Sequence, residues 1–152
     1  SAEVWRTLTA EEWNYIFEGR KNASALWGVA QVWGVNGLIL LPDNWVAPEG
    51  VFFKPGFYEE EDVWYFSVHQ TFTQTLWLRM QQAGAVFLPA SGYRFGAGAS
   101  NMEYCGYYWS ASADGSNRAV CLYFDSDGKS MDSNYRHYGL SVRLVKDVAN
   151  AQ

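Results

Sequence analysis

Two cysteines, two histidines and 11 basic residues in a chain of 152 leave several chemistries without material. Cys105 and Cys121 form no CxxC pattern, and His69 and His137 lie far from any matching pair, so a zinc site is not expected. The two thiols are compatible with a disulfide, although both sit at positions that look exchangeable, which favours two free thiols. No basic run occurs and the net charge is −5, which argues against nucleic acid or an anionic membrane surface as partner. No apolar segment is long enough to span a bilayer. No signal peptide is expected either, because only Ser1, Ala2 and Glu3 stand before VWRTLT. The Gly96 to Gly98 segment, GAG, follows no strand-to-helix context, so it makes no phosphate loop. No Ser or Cys is paired with an evident base, and nucleophilic catalysis is not expected. Asp125 and Asp127 would share one face of a strand, as paired hydrolase carboxylates do, but on a face whose residues look exchangeable. The chain reads as a binding protein, not an enzyme, and calls for no cofactor.

What is abundant is aromatic. Phe, Trp and Tyr make up 18% of the chain, with eight Trp. They either fill a loop-rich core short of aliphatics or face a partner. A chain of this length buries roughly 70% of its unfolded surface, enough for one core without staples. Residues 1–148 are therefore read as a single domain and 149–152 as a tail. Thr9, followed by Glu12, predicts a capping box opening a helix with Trp13, Ile16 and Phe17 inward and Gly19 as its end. Leu38 to Leu41 reads as a buried strand stopped by Pro42, and Asp43 to Val68 as a loop-rich stretch. The acidic run Glu59 to Asp62 lacks ligand spacing for calcium and reads as a solvated turn. A second helix is expected over about Thr73 to Ala83, with Leu76, Trp77 and Met80 inward and Gly84 as stop signal. Ala85 to Leu88 follows as a strand, and Gly92 to Gly106 as a flexible loop. Short strands dominate the end, which gives a loop-rich α+β domain with two helices and short antiparallel strands.

The stretch from Tyr107 to Val145 carries the functional reading. In Arg118 to Asp125, period-two alternation puts Val120, Leu122 and Phe124 on one face and Ala119, Cys121, Tyr123 and Asp125 on the other. The second face is continued by Asp127, Gly128, Ser130, Asp132, Ser133, Asn134, Tyr135, His137 and Tyr138. These polar positions are also what the solvated side of an ordinary hairpin offers. Exposed strand positions usually favour Thr, Lys, Glu and Arg, however, whereas this set is the mixture that antibody loops use for contact. Every residue in it has a codon reachable from an Asn codon by changing only the two adenines. Lys, Glu, Gln, Met and Trp are not reachable that way, and between Ser110 and Tyr138 only Lys129 and Met131 belong to that group.

The runs YYWSAS, LYF and RHYGLSVRLV, with LTAEEWNYIFEGR (Leu8 to Arg20), VNGLILLPDNW (Val35 to Trp45) and GAVFLPASGYR (Gly84 to Arg94), resemble two related groups. These are the variable proteins of diversity-generating retroelements and the major paralogous domain proteins of gut bacteria. The resemblance covers nearly the whole chain and implies a C-type-lectin-like fold, related also to the formylglycine-generating enzyme, with a variable region over about 105–145. In retroelement systems template adenines are randomised during reverse transcription, so Asn codons become the diversified positions. Carried over, the candidate ligand-binding positions are Cys121, Tyr123, Asp125, Asp127, Gly128, Ser130, Asp132, Ser133, Asn134, Tyr135, His137 and Tyr138. Ala113, Asp114 and Ser116 are secondary, and Cys105 also sits at a position of this kind. Trp109, Leu122, Phe124, Met131, Arg136, Gly139, Val142 and Arg143 match the fixed framework. Lys129 departs from it, where an apolar residue is commoner.

The related proteins carry further sequence before WRTLT, so this chain resembles the C-terminal part of a longer protein, outside the cell or on its surface. The function implied is a ligand-binding module for a macromolecular partner, a protein before a glycan. Two alternatives stand beside it: a carbohydrate-binding or structural cell-surface domain without a retroelement, and an enzyme akin to sulfatase-modifying factors. The Glu-Pro-Asn, Gln-Pro-Asp and Trp-Asn-Asp motifs of calcium-dependent lectins are absent. The enzyme reading would need a reactive cysteine pair near the C-terminal end, where only Cys121 lies.

Overall fold

The computed structural model describes residues 4–59 and 65–148. Strand β1 (Arg6–Thr7) leads into helix α1 (Ala10–Asn14), which continues as a π-helical turn, Tyr15–Gly19. A 3₁₀ turn, Ala23–Ala25, precedes β2 (Trp27–Val32) and β3 (Val35–Leu40). Beyond a stretch that is irregular as far as Glu59 come α2 (Phe66–His69), β4 (Thr71–Phe72), α3 (Gln74–Gln82) and β5 (Val86–Pro89). The C-terminal half is β6 (Tyr93–Phe95), β7 (Gly98–Ser100), β8 (Cys105–Asp114), β9 (Arg118–Asp125), β10 (Gly128–Tyr135) and β11 (Leu144–Val145). The domain mixes few helices with many strands in small sheets, as an α+β reading requires.

Local chemistry sets both principal helices. Thr9 Oγ1 accepts the Glu12 amide at 3.1 Å while the Glu12 carboxylate accepts the Thr9 amide at 2.8 Å, so the expected capping box is present. Trp13 and Phe17 are buried and Ile16 packs beside them. Thr73 caps α3 through its side chain. At the other end the Gly84 amide donates to Gln81 O and the Ala85 amide to Met80 O, both at 3.0 Å. That double closure needs a left-handed residue, and Gly84 supplies it at φ 100°. Gly19 ends its helix differently: Arg20 turns extended directly after it, with no left-handed glycine.

Four strands in the order β4-β2-β3-β5 form the central sheet. One face, with Val29 and Leu38, packs on Trp13, Phe17, Phe66, Tyr108, Leu122 and Phe124. The other, with Ala30, Val32 and Ile39, packs on Met80 of α3 and on Val51 and Phe72. Burial on both sides explains why β2 carries no polar alternation and does not announce itself as a strand. A second, antiparallel sheet, β10-β9-β8, lays Tyr108, Leu122 and Phe124 against the first core. Strands β1 and β11 pair near the termini.

Between Trp109 and Ala113 strand β8 shifts register against β9. Ser110 stitches the irregularity, donating from Oγ to Val120 O at 2.6 Å and accepting the Ser112 amide at 3.1 Å. Ser112 Oγ accepts the Ala10 amide at 2.9 Å and the Ala111 amide donates to Leu8 O at 2.8 Å, so the bulge moors the first helix to the sheet.

Two expectations need correction. Gly92 to Gly106 is not a flexible loop: it holds the β6–β7 hairpin, with Phe95 opposite Gly98 and Gly96 at φ 58° in the two-residue turn. Asp43 to Val68 is irregular as expected up to Glu59, but ends in α2. Beyond Glu59 the acidic run lies outside the described residues, as do Ser1 to Glu3 and the 149–152 tail. Lys129 keeps its register in an apolar slot opposite Phe124, with Nζ 5.3 Å from the Phe17 ring centre, 5.8 Å from that of Trp27, and ion-paired to Glu18. Its stem covers apolar surface while its head reaches a carboxylate, which is how a lysine stands where an apolar residue is usual.

Candidate ligand-binding surface

The register of β8, β9 and β10 decides which predicted residues share a face. Tyr123 stands between Tyr107 and Ser130, Cys121 between Trp109 and Asp132, Asp125 between Cys105 and Gly128, and Ala119 beside Asn134. All of these positions belong to the outward side by alternation. Lys129, Met131, Ser133 and Tyr135 have the opposite parity, opposite Phe124, Leu122, Val120 and Arg118. Ser133 and Tyr135 therefore do not continue the Tyr123 face along the strand, as the sequence reading supposed. Ser133 Oγ instead accepts from Arg118 Nε at 3.0 Å and bonds to Asp114. Tyr135 lies under the Arg118 guanidinium, 4.7 Å from ring centre to carbon.

Cys121 is the clearest correction. It has the outward parity but no exposed surface, flanked by Trp109 and Asp132 and taking the Asn134 amide on its sulfur at 3.4 Å. It supports the face from beneath and presents no surface to it. Trp109, read as framework, is half-buried on this same outward side. Cys105 and Cys121 are both free and buried, and burial pushes both thiols up, Cys105 to about 11. Four ladder positions separate them, so no disulfide joins them.

Tyr135, His137 and Tyr138 return to the outward face by another route. After β10 the chain turns, and their rings meet side by side: Tyr135 and His137 stack at 5.5 Å, and His137 and Tyr138 meet edge-on at 4.9 Å. Tyr138 then lies 6.0 Å from Tyr93 and 5.1 Å from Phe95, both on the β6–β7 hairpin. Tyr93 meets Tyr107 at 5.5 Å, and Tyr107 meets Tyr123 at 4.9 Å. Seven rings thus run unbroken from Tyr123 to Tyr135.

Sequence reasoning found four of the seven and missed Tyr93, Phe95 and Tyr107. Tyr93 and Phe95 stand two apart before a Gly-led turn, the spacing that puts both on one face of a hairpin strand. Tyr107 has the parity of Trp109. Those two cues were available in the sequence.

Polar groups frame the rings. Tyr123 OH donates to Asp125 Oδ2 at 2.7 Å, and Asp125 Oδ1 accepts the Asp127 amide at 2.8 Å. Burial and that bond push the Tyr123 hydroxyl well above its ordinary range. Burial, reinforced by Cys105 and Asp132, pushes Tyr107 to about 12. Both remain neutral hydrogen-bonding hydroxyls at physiological pH. On one side of this pair opens a cleft of about 140 Å³ lined by Tyr93, Asn101, Tyr107, Asn134, Tyr138 and Leu140. On the other, a shallower hollow of about 260 Å³ is lined by Phe57, Tyr123, Asp125, Asp127, Gly128, Lys129 and Ser130. Asp127 is exposed in the β9–β10 turn, and Ala113, Asp114 and Ser116 lie exposed at the far hairpin tip. Among the described residues no group of three His, Cys, Asp or Glu side chains is placed to hold a metal ion, and no helix is long and apolar enough to cross a membrane.

The molecule is thus a mixed α/β domain presenting an aromatic, carboxylate-edged face built from three separate stretches of chain. Residues 61–145, more than half of the chain, match a family described as a domain of unknown function, DUF8237, and the chain belongs to that family. The match takes in α3 and every strand from β5 to β11. Comparison with curated proteins and with solved structures finds no match.

Proposed function

We propose that this chain is a ligand-binding module: a lectin-like scaffold that displays a diversified surface to a macromolecular partner outside the cell or on its surface. The observation that carries the reading is the unbroken run of seven rings from Tyr123 to Tyr135, edged by Asp125, Asp127, Asp132 and Asn134. Tyrosines of this kind contribute large contact area at little cost in side-chain freedom, and carboxylates and amides reward a partner that satisfies them. A net charge of −5 favours a partner surface that is basic or rich in hydrogen-bond donors, with association that weakens as salt rises. Diversification by a retroelement is supported by the codon arithmetic of the variable positions and by the separation of most of them from the packed residues of β9. The lectin-like scaffold is supported by two capped helices beside small antiparallel sheets. A binding role is favoured over an enzymatic one because the cysteines are buried with raised pKa values.

A carbohydrate-binding role without diversification is the second reading, favoured by the flat Tyr135–His137 stack at 23° between planes. Two experiments separate the readings. An adenine-rich near-copy of the codons for residues 107–145 beside a reverse transcriptase gene is expected, and its absence favours the second reading. Panning of surface proteins and glycans against the domain and a Tyr123→Ala/Tyr135→Ala/Tyr138→Ala variant is expected to return protein ligands that the variant loses. A ligand kept at full affinity by the variant would move the site elsewhere, to the Asp43 to Val68 stretch.

A further inference from the structure

The cleft beside Tyr107 has a composition that its neighbours do not. Tyr93 and Tyr107 stand edge to face at 82°, and Tyr93 and Tyr138 lie nearly parallel at 28°, so the three rings wall it in two directions. Between them come the side chains of Asn101 and Asn134. Asn134 spends one amide hydrogen on Cys121, and its oxygen accepts no hydrogen bond among the described residues. The hydroxyls of Tyr93, Tyr107 and Tyr138 and the Asn101 amide take no hydrogen bond among those residues either. The opening thus presents π faces and hydrogen-bond acceptors together. The next outward position along β10 from Asn134 is Asp132, an exposed carboxylate. Of the groups that act electrostatically on the Tyr107 hydroxyl, Asp132 is the one charged at neutral pH, and it opposes negative charge there.

Rings, acceptors and a nearby carboxylate make a receptor for a cation. A volume of about 140 Å³ is the room of roughly five liquid water molecules, a side-chain head and not an extended ligand. We infer that this cleft is a docking box for a single arginine side chain of the partner, its guanidinium lying against the tyrosine rings and donating to the Asn101 and Asn134 amide oxygens. Arginine suits it better than lysine, because its planar head stacks on rings and carries five donors in a fixed fork. The domain already makes one such pair internally, with Arg118 over Tyr135. The inference rests on the binding role proposed above and names the chemistry at its centre.

The test is a titration of the intact chain with N-acetylarginine amide and with its uncharged isostere N-acetylcitrulline amide, followed by NMR. The arginine compound is expected to shift the side-chain amide signals of Asn101 and Asn134 and the ring signals of Tyr107 and Tyr138. Citrulline is expected to bind about tenfold more weakly, the share that a desolvated cation–π contact contributes. Asp132→Asn is expected to weaken arginine binding about threefold while leaving the melting temperature unchanged, and Tyr107→Phe to keep most of it. Equal affinity for the two compounds, shifts confined to other surfaces, or a simple hexose bound in the cleft in place of arginine would each overturn the inference. Failure here together with loss of panned ligands in the triple variant would leave the binding surface standing and remove only the arginine box. Ligands indifferent to the triple variant would remove the surface itself.

Discussion

Gly106 offers a sharp test of how the second sheet is packed, because two effects predict opposite signs for one methyl group. It stands opposite Phe124 in the ladder, and a Cβ built on it would lie 2.3 Å from two carbons of the Phe124 ring. A glycine inside a strand costs conformational entropy, so Gly106→Ala in open space would stabilise by roughly 0.5–1 kcal/mol. Here the ring must retreat by more than ~1 Å to reach ordinary carbon contact. It has nowhere to go: Phe124 is fully buried, edge-on to Phe66 at 6.4 Å and stacked on Tyr108 at 6.1 Å. Overpacking wins, and Gly106→Ala is expected to destabilise by about 2–3 kcal/mol. For a domain of this size that lowers the melting temperature by ~5–10 °C. Phe124→Ala alone should cost about 3–5 kcal/mol. In the double variant the new methyl meets no ring, so the combined loss should fall short of the sum by at least ~1 kcal/mol. Urea titrations of the four proteins measure all of this. A Gly106→Ala chain as stable as the parent, or strictly additive losses, would refute the packing described for β8 and β9.

Three further expectations follow from local chemistry. Glu12, held by two Arg6 nitrogens at 2.7 Å and by the Thr9 amide, has its carboxyl lowered to about 2. A pKa depressed in the folded state means stability that is present above about 4.5 and lost as pH falls from there toward 2. Glu12→Gln should flatten that acid limb in melts at stepped pH, and an unchanged limb would assign the acid sensitivity elsewhere. Cys105 and Cys121, buried with raised pKa values, should resist iodoacetamide in the folded chain and both react in denaturant, as counted by mass spectrometry. Rapid labelling of either in the native state would contradict the burial. Trp33, exposed at φ 47° before Gly34 in the two-residue β2–β3 turn, occupies a conformation that suits Asn far better. Trp33→Asn should raise stability by about 0.5–1 kcal/mol in urea, and a loss would mean that the indole makes a compensating contact.

The parts of the fold that could be read in advance are those specified by a few neighbouring residues. Thr9 with Glu12, and Thr73 with Gly84, mark helix ends because the groups they satisfy lie within one turn. The inward set Leu122 and Phe124 follows from alternation alone. Strand β2 escaped because both its faces are covered, and that depends on α3 and on the second sheet, far away in sequence. The β6–β7 hairpin escaped because three glycines read as looseness, whereas two of them supply the positive φ that Gly92 and Gly96 adopt. In the candidate site, composition picked Tyr123, Tyr135, His137 and Tyr138 well but assigned faces poorly. Ser133 and Tyr135 were grouped with Asn134 by polarity when strand period alone separates them. Cys121 was counted as exposed because nothing local records that Trp109 and Asn134 close over it.

Tyr93 and Phe95 lie outside the 105–145 window yet touch Tyr107, His137 and Tyr138 within it. If that window is diversified as proposed, exchange within it is filtered before any partner is met. A new side chain at 107, 137 or 138 must first pack on the hairpin, and its success depends on what stands at the other two places. The positions behave as words in a sentence more than as letters drawn independently. The repertoire such a surface would then display is smaller than a product over its positions, and biased toward flat, ring-bearing combinations that the hairpin accepts. Under that proposal, replacing Tyr93 or Phe95 with a smaller side chain would change which combinations fold without altering any codon of the window.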